Sequence, residues 1–263
     1  MHTDVVDLRD FYGSSLGQMA RRMIRRRLRM LWPDVTGQNV LGLGYATPFL
    51  RAFHGEAERV LALMPAGQGV LPWPSDEDNL VALTEEGDLP LPDLSMDRVL
   101  MVHMLETTEH LRPLMREVWR ILAGGGRLIV VVPNRRGIWA RTDRTPFGHG
   151  HPYTRTQLSR LLRDTLFTPV QATAALYAPP YASRMLVGSG RTWERIGMRW
   201  FQTFGGVVLI EATKQIYAGQ VARPVPRRRP VVLPLPGVRA RAVERSPKNE
   251  PLRSRITAKP EPV

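Results

Sequence analysis

The sequence predicts an α/β protein: a seven-stranded, mostly parallel sheet with helices on both faces, an N-terminal helical extension before it and a disordered basic tail after it. Three observations carry this. Strand-like apolar runs alternate with helical patterns across residues 38–217. The run Arg-Leu-Ile-Val-Val-Val-Pro at 127–133 is continuously apolar, as in a strand buried on both faces. Residues 39–50, Asn-Val-Leu-Gly-Leu-Gly-Tyr-Ala-Thr-Pro-Phe-Leu, read as a strand end, a tight turn and a helix start.

Taken in order, residues 1–13 read as a loose lead-in. Leu16, Met19, Met23, Ile24, Leu28 and Leu31 recur at helical spacing, with arginines mostly on the other faces, and Pro33 closes that helix. Residues 38–43 form the first strand and 48–54 start the first helix of the sheet domain. Strands follow at 59–64, 80–83 and 97–103. Leu114, Val118, Ile121 and Leu122 mark one face of a helix over 111–122, and Gly124 to Gly126 end it. The strand at 127–133 leads into an irregular stretch, 134–151, with Arg135, Arg136, Arg141, Arg144, His149 and His151. Loops of that length are usually functional. Thr154 caps a helix through Leu158, Leu161 and Leu162. Strands at 167–177 and 204–217 flank a helical stretch around 182–197. The expected units are 1–37, 38–220 and 221–263.

The net charge of +13 is concentrated near the end of the chain, where residues 221–263 carry eleven Arg and Lys against three Glu. Prolines alternate with arginines there and no core can form. A basic tail can attract nucleic acid or anionic lipid, but a solvated arm is the favoured reading. An RNA-associated role through this tail and the arginine-rich helix is the weakest of the readings weighed. With no cysteine, disulfides, thiolate nucleophiles and Cys-ligated zinc are excluded, and no metal is expected. No run reaches the ~20 apolar residues of a membrane span, and no secretory signal is visible. The cytoplasm is the expected location.

In a parallel sheet, ligands bind at the carboxyl ends of the strands. That rim holds Gly42, Gly44, Ala46, Met64, Pro65, Glu85, His103, Glu106 and Asn134. Gly42, Gly44 and Ala46 follow a G-x-G-x-A spacing, which lets a backbone approach a ligand closely. An ordinary glycine-rich turn is the plainer alternative.

Three stretches in this order resemble the class I S-adenosylmethionine-dependent methyltransferases, in their small-molecule, type 11-like branch: residues 40–46, residues 88–100 followed by His103-Met104-Leu105-Glu106, and residues 115–128. His151-Pro152-Tyr153-Thr154 adds a fourth likeness. The resemblance covers roughly residues 38–215 and implies a Rossmann-like sheet with an antiparallel seventh strand. It also implies S-adenosylmethionine as cofactor, held by Gly42, Gly44, Ala46, Met64, Glu85 and His103. Glu85 would accept from the adenine amino group, with Glu86 or Asp88 as alternatives. Two acids common in the family are replaced here: Gly42 stands two positions before the family's first glycine, and Met64 ends the second strand. A carboxylate–diol contact is worth roughly 1.5–3 kcal/mol, so its loss weakens binding tenfold or more. Pro48 stands where a third glycine is common.

Methyl transfer from a sulfonium is an in-line displacement that rewards alignment, and a base is needed only if the acceptor must lose a proton. His103, His149 and His151 are the candidate bases, each with a plain structural alternative. The loop arginines suit an anionic acceptor or a solvated surface equally. Cytosine-carbon methylation in this fold needs the absent cysteine, and the amino-methylating nucleic-acid motif is replaced by His103-Met104-Leu105-Glu106. The expected function is methyl transfer to a small-molecule acceptor. The alternative is a catalytically degenerate binding or scaffold protein, motivated by Gly42 and Met64.

Overall fold

The structure, a computed structural model, describes residues 4–180 and 202–215. The expected helical stretch around 182–197 and the tail 221–263 lie outside the described residues.

Seven strands build one sheet: β1 (Asn39–Gly44), β2 (Arg59–Pro65), β3 (Val81–Thr84), β4 (Met96–Val102), β5 (Leu122–Pro133), β6 (Phe167–Ala175) and β7 (Val207–Lys214). Their order is β3-β2-β1-β4-β5-β7-β6. β1 to β5 pair in parallel, whereas β7 runs antiparallel to both β5 and β6. This is the Rossmann-like arrangement implied by the resemblance. The order reverses between β1 and β4, which places the crevice for a ligand above Gly44 and Val102.

Alternation along each strand sends side chains to two cores. Val40, Leu100, Ile129, Val131 and Leu209 meet α2 (Ser15–Leu31) and α3 (Thr47–Leu50) on one face. Leu41, Val99, Leu128, Val130 and Ile210 meet α4 (Leu111–Ile121) and α5 (Arg155–Asp164) on the other. α5 starts with a capping box, in which Thr154 and Gln157 satisfy each other's backbone N–H groups. α2 buries its apolar stripe as expected, and Trp32 at its end donates from Nε1 to buried Glu211 Oε1 at 3.1 Å.

Three local expectations change. Within the expected loose lead-in, Val5–Gly13 instead forms helix α1. Asp4 caps it by accepting from Val6 N, and Val5, Leu8 and Tyr12 form its buried stripe. Ser14 is extended and begins the next helix, its hydroxyl accepting from Gly17 N. Gly124 to Gly126 do not end α4 in a loop. α4 gives way directly to β5 at Leu122, and the glycines belong to an irregular start of β5, between the pairs Met96–Leu122 and Arg98–Arg127. A Cβ on Gly126 would meet Leu122 Cγ at 2.7 Å, so the irregular start of the strand folds back against the Leu122 side chain. The helix expected from residue 48 is a single turn, Thr47–Leu50, followed by turns.

Candidate active site

The turn after β1 is built on Gly44. Its φ is +72°, and a Cβ would lie 2.4 Å from Val102 O and 2.9 Å from Met104 Cβ. Only glycine tolerates both the left-handed backbone and that contact. The chain then reverses sharply, with Ala46 N donating to Gly44 O at 2.8 Å.

The other expected cofactor residues are spread more widely. Gly42 is walled in: a Cβ there would meet Leu50 Cδ1 at 2.6 Å and Ala46 Cβ at 2.7 Å. The position of the family's acid is thus taken up by the packing of α3 on β1. Met64 is fully buried, in the core on the α2 side. Glu85 is exposed and lines a cavity of about 280 Å³ with Pro65, Gly67, Thr84, Glu86 and His110. Glu86, largely buried, accepts a short hydrogen bond from Thr108 Oγ1. Asp88 pairs with Glu85 in an isolated antiparallel bridge and stays outside the cavity lining.

His103 leaves β4 with φ +52° and turns its ring into the interior, 3% exposed. Glu106, 1% exposed, holds His103 Nδ1 at 3.1 Å. With Glu106 as the carboxylate, Nδ1 carries the proton and Nε2 is bare. Tyr12 of α1 donates its hydroxyl to that Nε2 at 2.8 Å. The Tyr12 ring lies parallel to Tyr45, with centroids 5.8 Å apart, and edge-on to Phe49. Phe147, in the 3₁₀ turn Pro146–Gly148, contacts both His103 and Phe11. Gln68 completes the closure: its Nε2 donates to His103 O at 3.0 Å and its own carbonyl accepts Val5 N at 2.9 Å. Glu106 Oε2 and Gln68 Oε1 are buried with no hydrogen-bond partner among the described residues. Burial, and next the charge of Glu106, push the Tyr12 phenol well above its usual value of 10.0. Burial likewise raises Tyr45 to about 12.

α1 therefore covers the rim between β1 and β4 and brings Tyr12 to His103 across 91 residues of sequence. Sequence reasoning missed Tyr12 and Glu106's part in the cluster. The signals were present in Asp4 as a cap and in Val5, Leu8 and Tyr12 at helical spacing. His149 and His151 are not brought to this cluster. Both are exposed, His149 Nε2 meets Asp143 O at 3.1 Å, and His151 touches the site only through its backbone N–H, which donates to Glu106 O at 2.7 Å. Arg135, Arg141 and Arg144 are exposed. Arg136 lines a second cavity of about 420 Å³ with Asn134, Thr154, Arg155 and Tyr177.

Comparison with known proteins agrees with this architecture. Residues 41–130 match the family model described as a methyltransferase domain. No curated protein matches the chain. Among solved structures, an S-adenosylmethionine-dependent methyltransferase of Thermotoga maritima is similar over 80% of this chain and 96% of its own, at 18% identity and a TM-score of 0.57. One from Mesorhizobium loti is similar over 78% of this chain and 100% of its own, at 17% identity and 0.52. The [4+2]-cyclase SpnF is similar over 76% and 82%, at 19% identity and 0.52. The matched segment spans the turn after β1, the end of β4 and the start of β5, and with this sheet order the fold is that of the class I S-adenosylmethionine-dependent methyltransferases.

Proposed function

We propose that the protein transfers a methyl group from S-adenosylmethionine to a small-molecule acceptor. The observation that carries this reading is the open cavity at the ends of β2 and β3, with Glu85 and Glu86 on its wall, beside the glycine turn that begins the matched domain. The fit is good at the nucleoside end. Adenine and ribose present N–H and O–H donors, and this cavity offers carboxylate and threonine oxygens at its wall. Glu85 is the residue assigned to the adenine amino group. The methionine end would lie along Gly44 to Ala46, which α1 now covers, so its entry requires α1 to yield. The cofactor supplies a methyl already activated on sulfur. The chain's part is to bind, to orient and to keep water out.

A comparison of S-adenosylhomocysteine with S-inosylhomocysteine, which has an oxygen in place of the adenine amino group, tests the assignment. Wild type should prefer the adenosyl compound about tenfold, the worth of one charge-assisted hydrogen bond, and Glu85→Ala should lose that preference. Equal affinities in wild type would remove Glu85 from the site.

Gly42 favours a second reading, that of a degenerate methyltransferase acting as a binding module. The space of the missing acid is filled by Leu50 and Ala46, and Met64 is turned into the core. Folded protein with no affinity for either compound is the result that reading expects.

A further inference from the structure

α1 closes the rim with one polar side chain, and that side chain is a phenol. Its hydroxyl rests on the bare Nε2 of His103, whose other nitrogen is held by a carboxylate that is 1% exposed. A buried carboxylate is costly unless it serves a partner. Here it fixes the imidazole's orientation and tautomer, with the free lone pair toward the hydroxyl. A bare ring nitrogen at 2.8 Å from an O–H is the arrangement that general-base catalysis requires. An amine acceptor attacks with its own lone pair and does not need such a base first; a hydroxyl does.

The element that delivers the phenol is a short helix at the rim, which packs on α2 and buries Val5, Leu8 and Tyr12 in the core on that side of the sheet. α1 joins α2 at the corner Gly13–Ser14, and its ties to the body include Val5 N to Gln68 O, the Phe11–Phe147 contact and Tyr12 itself. Its withdrawal leaves a slot lined by Tyr45, Phe49, Phe147 and His103. That slot has the shape and chemistry of the ring that left it.

We propose that Tyr12 holds the acceptor's place: the slot takes a phenol-type acceptor, with its hydroxyl on His103 Nε2 as the catalytic base and Glu106 behind as a positioning residue. This rests on the methyltransferase reading above. In the step, the phenol proton passes to His103 Nε2, and Glu106 balances the imidazolium. The oxygen's electron pair forms the new C–O bond to the donor methyl as the C–S bond breaks, its pair remaining on sulfur. The proton then leaves His103 for solvent.

The test uses the full chain with Tyr12→Ala, and p-cresol, which is the missing side chain as a free molecule. p-Cresol should bind and raise the melting temperature, and toluene, lacking only the hydroxyl, should bind about tenfold more weakly. Adding Glu106→Gln or His103→Gln should bring the two affinities together, whereas a merely structural Glu106 would weaken both alike. Tyr12→Phe, which keeps the ring, should exclude both probes. If Tyr12→Ala does not fold, p-cresol should still compete with Tyr12 in wild type and speed amide exchange over residues 5–13, with toluene inert. With S-adenosylmethionine present, the Tyr12→Ala protein should convert p-cresol to 4-methylanisole. Equal binding of p-cresol and toluene, or p-cresol bound but never methylated by a chain that binds S-adenosylhomocysteine, overturns the acceptor class. No binding of S-adenosylhomocysteine overturns the methyltransferase reading, and the acceptor role with it.

Discussion

Gly44 and Tyr12 show how single residues set the site. Gly44→Ala places a methyl group against Val102 O in a left-handed backbone, and should cost about 3 kcal/mol or more in urea unfolding. The same substitution at Gly55, where a Cβ meets nothing within 4 Å, should cost well under 1 kcal/mol. A charged variant at Gly44 would therefore report on folding before it reported on cofactor. Tyr12 makes a pH prediction. Its phenol is raised in the folded state by burial and by Glu106, so the unfolded chain releases this proton first as pH climbs past 10.0. The fold binds more protons than the unfolded chain in that window, and stability falls with rising pH. Tyr12→Phe should lower stability near pH 8 by about 1–2 kcal/mol through the lost hydrogen bond. The gap between the two proteins should then narrow above pH 10, read from urea unfolding at each pH. His103 and Glu85 were legible as rim residues because a strand's end is marked by its apolar run. The Tyr12–His103–Glu106 cluster was not, because no local pattern states which side chains meet across 91 residues.

At the scale of elements, α4 secures the approach to β4. Arg120 donates to the carbonyls of Leu89 and Leu91 and pairs with Asp93 and Glu117, while Glu117 accepts Leu89 N. The hydrogen bond from Arg120, and next that from Leu89 N, hold the Glu117 carboxyl below its usual value of 4.5, and Arg120 is raised in turn by Glu117 and Asp93. Arg120→Ala leaves the buried Leu89 carbonyl without this donor and should cost about 2–3 kcal/mol, with faster amide exchange over residues 89–94. Glu117 contributes stability above pH 4.5 that is lost as pH falls through its lower folded value, and Glu117→Gln should flatten the acid limb of the stability curve. The elements themselves were largely legible. β1, β2, β4 and β5 announce themselves as apolar runs between turn residues, and α2 as a stripe. The misreadings came where one signal carried two meanings. Glycines end helices, but they also let an irregular strand start fold back on a neighbouring side chain, as Gly126 does on Leu122. The first thirteen residues read as a loose lead-in, although Asp4 is a cap and Val5, Leu8 and Tyr12 form a buried stripe.

At the scale of the molecule, the sheet order reverses between β1 and β4, and the glycine turn, His103 with Glu106 and the helix that covers the rim gather at that crevice, with a cavity at the ends of β2 and β3 further along the same rim. Among the described residues no helix is long and apolar enough to cross a membrane. The methyltransferase-type fold was legible from three stretches in order, but the closure of its rim by α1 was not, because that is a matter of tertiary packing. On the methyltransferase reading proposed above, the cradle at this rim still serves a methyl donor despite Gly42 and Met64. Calorimetric titration of the full-length protein with S-adenosylhomocysteine tests it most directly. One site of micromolar affinity, near −8 kcal/mol or ~1 μM, is the expected result. No heat up to millimolar ligand, from a chain whose circular dichroism and cooperative melting show it folded, would contradict it.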